Sequence, residues 1–298
     1  GVDLAQVKGS GPGGRVMKED VEAFLSRQAG DAAIPPAQPS VQQAAQQPPA
    51  VPRAPAPAQP SGTDGGRPEQ RQRLSRRRLT IARRLVEAQQ TAAMLTTFNE
   101  IDMNAVVELR KRRKESFKEI TGANLGFMSF FVKAAVGALK AFPQINSELQ
   151  GEEMVLKRYY DIGIAIGDVE GLVVPVLRDA DGMTFAQIEN AIATFAQKVK
   201  DRTLSLEDLK GGTFTITNGG VFGSMMSTPI LNPPQVGILG MHAIKERPVV
   251  ADGQIVAHPV MYIALTYDHR VVDGRDSVLF LARIKELIED PERLLLEG

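Results

Sequence analysis

Hydrophobic and polar positions divide the 298-residue chain into three stretches of different character. Residues 1–29 hold a glycine-rich run followed by a short amphipathic helical pattern over Lys18–Arg27. Residues 30–70 contain ten of the nineteen prolines and few branched aliphatic residues, which is typical of an extended, semi-stiff linker. From residue 71 onward helical periods alternate with short β-branched runs. This pattern predicts one mixed α/β domain preceded by a linker and a small helical piece.

Within the third stretch, the apolar spacing predicts both helices and strands. A period near 3.6 residues predicts the helices Arg76–Gln90, Asn104–Lys118, Met128–Phe142, Thr184–Val199 and Arg275–Glu289. Alternating or β-branched runs predict the strands Met94–Ile101, Ile162–Ile166, Leu172–Leu177, Thr213–Thr217 and Val260–Tyr267. The last strand therefore leads through a tight loop into the last helix.

Composition excludes several classes of function. Thirty-five basic residues balance thirty-five acidic ones, so no overall charge favours nucleic acid or an anionic membrane as the partner. The absence of cysteine excludes disulfides, thiolate metal sites and a cysteine nucleophile. No apolar run reaches the roughly 18 residues of a membrane span, and the first residues lack a signal-peptide pattern. We therefore expect a soluble protein.

The loop between the last strand and the last helix carries the strongest chemical signal. Its sequence is DHRVVDG, over Asp268–Gly274, and it places His269 and Asp273 four residues apart. Loops held by rigid elements often carry catalytic side chains. His269 is therefore a candidate general base, with Asp273 as a group that could orient it, although a buried structural histidine is the more common finding.

A second candidate lies at the end of the strand Thr213–Thr217. There the hydroxyl of Thr217 precedes Asn218 and two glycines, which would let a ligand approach the backbone closely. The ordinary explanation is that Thr215 and Thr217 are strand formers and that Asn218 begins a turn. From the residues alone the ordinary explanation is favoured.

The DHRVVDG segment resembles the signature of the dihydrolipoyl acyltransferases of 2-oxo acid dehydrogenase complexes, and it is similar to the HxxxD motif of chloramphenicol acetyltransferase. Residues 71–298 as a whole resemble the catalytic domain of that family, including the stretches Thr96–Glu100, Gly126–Phe130 and Gly240–Lys245. The resemblance implies a chloramphenicol-acetyltransferase-like α/β sandwich with a mixed sheet. It also implies that His269 deprotonates the thiol of coenzyme A and that Thr217 stabilises the oxyanion.

The resemblance further implies how the site is supported and assembled. In the family the second carboxylate of the motif, here Asp273, pairs with an arginine and holds the loop, and Arg78 is the expected partner. A solvated helix face is the alternative explanation for Arg76–Arg78. The family forms homotrimers with the active site between subunits, and eight trimers build a cubic 24-mer. Leu294–Leu296 would suit docking between trimers, or could be the buried end of the last helix.

Two details favour the succinyl-transferring branch, which works in the 2-oxoglutarate dehydrogenase complex of the tricarboxylic acid cycle. These are the sequence TFNE at Thr97–Glu100 and TNGG at Thr217–Gly220. Acetyl- or branched-chain transfer is the close alternative, and a non-catalytic scaffold is the alternative of another class. A succinyl carboxylate would need a basic or hydroxyl-bearing partner. Ser227, Thr228 and His242 are candidates.

Residues 1–29 resemble part of the family's peripheral subunit-binding domain, which docks the decarboxylase or the dihydrolipoyl dehydrogenase. Arg15 and Lys18 would contact an acidic partner surface. The run Gly9–Gly14 also matches the dinucleotide fingerprint G-x-G-x-x-G, but a linker follows the next helix where a second strand would be needed. The chain begins after the first helix of this domain type. We expect a truncated domain.

The substrates and compartment follow from the same resemblance. No segment matches the lipoylated lysine site, so we expect lipoyl-lysine to be carried on a domain outside this chain, with coenzyme A as the other substrate. His242 and His258 have no partners at metal-ligand spacing, and no metal is expected. A bacterial cytoplasm is favoured over a mitochondrial matrix.

Overall fold

The computed structural model describes residue 18 and residues 69–168, 171–251 and 253–297. The chain separates into two units, Gly1–Glu69 and Gln70–Gly298. Of the first unit only Lys18, which is helical and exposed, and Glu69 are described. Arg15 and almost all of the expected subunit-binding domain and linker therefore lie outside the described residues.

Six helices are present in the described part of the second unit. They are α1 (Arg76–Thr91), α2 (Asn104–Thr121), α3 (Met128–Ala141), α4 (Phe185–Asp201), α5 (Gly274–Glu289) and α6 (Arg293–Glu297). Short 3-10 turns occur at Pro143–Asn146, Glu207–Leu209 and Gly220–Phe222. Local sequence explains two starts: the hydroxyl of Ser75 accepts the N–H of Arg78 at α1, and Thr184 forms a capping box with Gln187 at α4.

Eleven strands accompany these helices in the described residues. They are β1 (Met94–Asp102), β2 (Ser147–Gln150), β3 (Glu153–Leu156), β4 (Ile162–Ile164), β5 (Ile166–Asp168), β6 (Gly171–Val173), β7 (Val176–Leu177), β8 (Phe214–Asn218), β9 (Gly237–Met241), β10 (Lys245–Ala251) and β11 (Gln254–Asp268). Seven form one mixed sheet in the order β1-β11-β9-β8-β4-β7, with β10 paired to β11. Strands β4, β8 and β9 run parallel, and the other pairs are antiparallel. The pairs β2-β3 and β5-β6 are separate hairpins.

Register across the centre of the sheet decides which side chains share a face. Ile216, Leu239 and Leu265 stand in one row across β8, β9 and β11, and all three belong to the buried hydrophobic core. The next row contains Thr217, followed by Gly240 and Ala264. Because side chains alternate along a strand, the Thr217 row lies on the face opposite to the core row.

Helix α3 is the centre of the hydrophobic core. Nine of its fourteen residues are buried, and it packs against α4 and α5. Helix α5 in turn packs against β1 and β11, and its Phe280 ring lies 5.7 Å from the Phe214 ring of β8. Each large apolar side chain that is fully buried here stabilises the fold by about 1.5 to 3 kcal/mol. The helix that follows the DHRVVDG loop is therefore firmly fixed to the sheet.

The structure confirms the predicted mixed α/β fold and all five predicted helices, with ends shifted by up to three residues. Two predicted strands are each divided, at Ala165 and at Pro175, into β4 and β5 and into β6 and β7. Strand β9 was missed because it is buried on both faces and so shows no alternation. Strand β11 begins six residues earlier than predicted, where β10 pairs with it.

No helix in the described ranges is long and apolar enough to cross a bilayer.

Leucines near the C-terminus differ in their surroundings. Leu294 is 5% exposed and joins the core cluster, whereas Leu296 is 85% exposed. Leu294→Ala should lower the free energy of unfolding by about 2 to 5 kcal/mol, because it leaves a cavity in the core. Leu296→Ala, a matched control, should change it by less than about 0.5 kcal/mol in the same denaturant titration. Equal effects of the two substitutions would contradict this assignment.

Candidate active site

His269 lies just beyond the end of β11, in a loop tied to the start of β1. Its backbone N–H donates to the carbonyl of Ala93 at 2.9 Å. Its imidazole is exposed and packs beside the Tyr267 ring, with centroids 5.6 Å apart. Neither ring nitrogen makes a hydrogen bond to a described residue. The imidazole is therefore held in place by the backbone and one ring contact, while both nitrogens are open to a ligand.

Asp268 is the anchor of this loop, a role that the sequence did not assign to it. Its side chain is 5% exposed and accepts the N–H of Ala93 at 3.2 Å and the N–H of Arg270 at 3.1 Å. The guanidinium of Arg270 adds a bond of 2.6 Å from Nη2 to Oδ2. Burial alone would raise the pKa of Asp268, but the hydrogen bonds and charge of Arg270 outweigh it and hold the pKa below its ordinary value.

Asp273 and Arg78, the expected ion pair, do not meet within one chain. Asp273 is exposed and directly precedes α5, where its carbonyl accepts the N–H of Ser277 at 3.0 Å. Arg78 lies on α1 beside Gly171 of β6. The described residues contain no ion pair between the two side chains. Their pairing stays a prediction, which an intermolecular contact could satisfy.

The hydroxyl of Thr217 is available to a ligand, in contrast to that of Thr215. Thr215 is buried and bonds to the Gln235 side chain at 2.5 Å. Thr217 is half-buried, and its hydroxyl has no hydrogen-bond partner among the described residues. The two threonines therefore differ in role: Thr215 completes a buried structural contact, and Thr217 keeps a free donor at the end of β8.

The turn after Thr217 is held tightly against β9. Asn218 accepts the N–H of Gly220 at 2.9 Å, and the N–H of Gly219 donates to the carbonyl of Met241 at 3.0 Å. A Cβ on Gly220 would come within 2.4 Å of the His242 backbone, so only glycine fits there. The turn expected as the ordinary explanation is present, and it also fixes the strand end that carries Thr217.

One chain does not bring Thr217 and His269 together. Thr217 is level with Ala264 and two strands away from it, which is roughly 10 Å across the sheet. His269 follows Ala264 by five residues and lies just beyond the end of β11, which is roughly 16 Å in the strand direction. The backbones of the two candidate residues are therefore on the order of 19 Å apart within a chain. A reaction that uses both needs a second copy.

The other two histidines are engaged in contacts that sequence spacing did not reveal. His242 is 1% exposed; its Nδ1 lies 2.9 Å from the carbonyl of Tyr262, and its Nε2 lies 2.9 Å from the backbone N of Ser227. A carbonyl only accepts and a backbone N–H only donates, so the proton is on Nδ1 and the ring is neutral.

His258 lies at the far end of β11 and pairs with Asp102, with 2.5 Å between Nδ1 and Oδ2. The two residues are 156 positions apart, which is why no local pattern predicted the pair. Across the described ranges, no group of three or more histidine, aspartate or glutamate side chains could hold a metal ion.

Comparison with known families places this geometry in context. Residues 66–296 match the family described as 2-oxoacid dehydrogenases acyltransferase (catalytic domain). Residues 1–22 match the family described as e3 binding domain.

Two relatives of known name match the whole chain. One is the dihydrolipoyllysine-residue succinyltransferase component of the 2-oxoglutarate dehydrogenase complex of Bacillus subtilis, 56% identical over 100% of this chain and 68% of that protein. The protein of the same name from Cupriavidus necator is 52% identical over 100% of this chain and 69% of its own length.

Solved structures agree with these matches. A probable dihydrolipoamide acetyltransferase from Listeria monocytogenes superposes with a TM-score of 0.71 at 35% identity, over 74% of this chain and 94% of that one. The cubic core of the pyruvate dehydrogenase multienzyme complex superposes with a TM-score of 0.73 at 29% identity, over 76% and 94%.

Asp268 should contribute to stability in a pH-dependent way. Asp268→Asn should lower the free energy of unfolding by about 1 to 3 kcal/mol, toward the lower end because the Arg270 side chain is 47% exposed and its charge is screened. The folded-state pKa lies below the unfolded value near 3.9, so this stability is complete above about pH 4 and is lost as the pH falls through the folded-state pKa. Urea titrations at several pH values would measure it.

The exposed carboxylate of Asp290 offers a matched control, since it also pairs with an arginine. Asp290→Asn should have a small effect at every pH. A difference between wild type and Asp268→Asn that grows on acidification would contradict the assignment of Asp268.

Proposed function

The chain belongs to the family of 2-oxoacid dehydrogenase acyltransferases, and from that premise we propose that it transfers a succinyl group between dihydrolipoyl-lysine and coenzyme A. Membership confirms the resemblance drawn from the DHRVVDG segment. The observation that carries the proposal is the state of His269: an exposed imidazole with both nitrogens open, on a loop anchored by a buried carboxylate. The succinyl branch is supported by relatives that carry that name over the full chain.

His269 acts as the general base. A thiol with an ordinary pKa near ~8.5 is mostly protonated at neutral pH, and only the thiolate is a good nucleophile. His269 accepts the proton from the thiol of coenzyme A, and the thiolate sulfur attacks the carbonyl carbon of the succinyl thioester on dihydrolipoyl-lysine. An imidazole suits this step because it accepts and returns a proton near neutral pH.

Thr217 stabilises the intermediate. Attack moves the carbonyl electron pair onto oxygen, and the free hydroxyl of Thr217 donates a hydrogen bond to that oxyanion. Collapse re-forms the carbonyl, breaks the bond to the dihydrolipoyl sulfur and leaves succinyl-coenzyme A. The leaving thiolate takes the proton back from His269, so the enzyme returns to its starting state.

The active site is shared between two subunits of a homotrimer. The separation of Thr217 and His269 within a chain supports this arrangement, because one subunit supplies the base and its neighbour supplies the oxyanion donor. Asp273 of one subunit would pair with Arg78 of the other and hold the loop of His269 in place. Coenzyme A and lipoyl-lysine would enter the resulting channel from opposite ends.

Trimers assemble further into a cubic 24-mer that forms the core of the 2-oxoglutarate dehydrogenase complex. The match of residues 1–22 to an e3 binding domain supports docking of the dihydrolipoyl dehydrogenase, and the decarboxylase is the second partner. Arg15 and Lys18 would meet an acidic partner surface.

Lipoyl-lysine comes from a domain outside these residues. The bacterial origin of the named relatives supports a bacterial cytoplasm.

Activity toward three acyl donors tests the reaction and its branch. We expect transfer from succinyl-coenzyme A to free dihydrolipoamide, at least tenfold faster in kcat/KM than from acetyl- or isobutyryl-coenzyme A, with His269→Ala nearly inactive. Thr217→Val should lose about 10²- to 10³-fold in kcat, as for loss of one oxyanion donor. Thr194→Val, at an exposed threonine of α4, is the control. Preference for acetyl would overturn the branch, and an assembled but inactive protein would indicate a scaffold.

Mixed trimers test the shared site. Two variants, His269→Ala and Thr217→Ala, would be coexpressed with different tags and purified as mixed oligomers. In a random mixture about a quarter of the interfaces combine an intact His269 with an intact Thr217, so about a quarter of the wild-type activity should return. A site contained in one chain would leave the mixture as inactive as each variant. Mixing two tagged copies of the same variant controls for assembly.

A further inference from the structure

Arg247 on β10 is a cation whose head group is held in place without a carboxylate. Its guanidinium carbon lies 5.1 Å from the centre of the Tyr262 ring, and its Nη2 lies 3.8 Å from the sulfur of Met225. The described residues contain no ion pair of Arg247. An arginine stacked on an aromatic ring keeps its donors directed sideways and available to an anion.

Two contacts direct this guanidinium toward the part of the sheet that carries Thr217, although Arg247 itself is level with His258 on β11. Tyr262 precedes Ala264 by two residues on the same face of β11, and Thr217 is level with Ala264. Strand spacing therefore puts Tyr262 and Thr217 roughly 12 Å apart. Met225, the other contact of Arg247, belongs to the loop that follows Thr217 in sequence. Arg247 thus lies on the same face as the proposed oxyanion donor.

A succinyl group has dimensions that fit this separation. Its thioester carbonyl carbon and its carboxylate carbon are roughly 4 Å apart when extended. Hydrogen bonds from Thr217 to the oxyanion and from a guanidinium to the carboxylate bring the total span to the order of 10 Å. A substrate held by Thr217 at one end would therefore extend its carboxylate toward the Tyr262 ring, on which Arg247 stacks.

Neighbouring polar groups fit the carboxylate less well. His242 is buried and neutral, and both ring nitrogens are already used by Tyr262 and Ser227, so it has no N–H left to donate. Glu100 stands opposite Tyr262 on β1 and does not pair with Arg247. Lys245 lies two residues before Arg247 on the same face of β10 but is exposed, and its side chain makes no hydrogen bond or ion pair with a described residue.

We propose that Arg247 is a specificity-determining residue that binds the free carboxylate of the succinyl group. The inference rests on the proposed function, since it identifies the residue of that same site that binds the negative charge of the substrate. A charge-assisted hydrogen bond of this kind distinguishes succinyl from butyryl, which has the same carbon chain without the carboxylate. His242 and Ser227 then support the wall of the site and do not contact the anion.

The test compares succinyl- and butyryl-coenzyme A as donors to dihydrolipoamide in the assembled protein. Arg247→Met keeps an unbranched apolar stem over Tyr262 and should lower kcat/KM for succinyl by about 10- to 100-fold. Transfer of butyryl should stay within about threefold of wild type, because that substrate never used the charge. Arg247→Lys, which restores the charge without the planar fork, should recover part of the succinyl rate.

Lys245→Met is the matched control, on the same strand and face, and should leave the succinyl preference unchanged.

A wild-type protein with no succinyl preference would refute the proposed function. A wild type that prefers succinyl, together with an Arg247→Met variant that keeps the full preference, would refute only the role of Arg247. Loss of both activities in Arg247→Met with an unchanged oligomer would also refute it, since the residue would then serve the reaction as a whole. Arg247→Lys gives the same comparison if the methionine variant fails to assemble.

Discussion

The register of β11 between β1 and β9 is the constraint on which the rest of the site depends. It places Leu265 in the core and Ala264 on the opposite face, level with Thr217. His269 follows Ala264 by five residues and lies just beyond the end of β11. A shift of one residue would exchange the two faces, and no local change could restore the site. The distance between base and oxyanion donor is therefore set by the whole sheet.

The distance between Thr217 and His269 relates oligomerisation to the proposed reaction. A monomer holds each group in a well-defined place, with His269 attached to Ala93 through its backbone and Thr217 at the end of a tightly fixed strand. Neither the imidazole of His269 nor the hydroxyl of Thr217 has a hydrogen-bond partner among the described residues. In the proposed homotrimer, catalysis and oligomerisation are a single property, because the contact between subunits would also complete the reaction centre.

The charged side chains Asp268 and Arg247 have different roles. Asp268 is buried and fully bonded, so it stabilises the loop without offering a charge to the substrate. Arg247 has an aromatic ring and a sulfur atom as its neighbours, and its charge is left for an anion. His242 is a neutral ring whose two nitrogens are bonded to Tyr262 and Ser227. A buried charge paired within the protein supports structure, whereas one left unpaired at a surface provides specificity.

The sequence alone determined the family, the mixed α/β fold, the five main helices and the candidates His269 and Thr217, because helical periodicity and a short loop motif are local properties. It left open whether Thr217 is an ordinary strand residue, and it said nothing of Asp268 as an anchor or of the pair His258–Asp102. Tertiary structure decided the two contacts, since each joins residues far apart in the chain: Asp268 bonds to Ala93, and His258 pairs with Asp102. It also showed that Gln235 bonds to Thr215 and leaves the hydroxyl of Thr217 without a partner among the described residues, while the catalytic role of Thr217 stays a prediction. Strand β9, buried on both faces, and the separation of Thr217 from His269 also emerged only when the strands were paired, because register is a property of the sheet and not of any one segment.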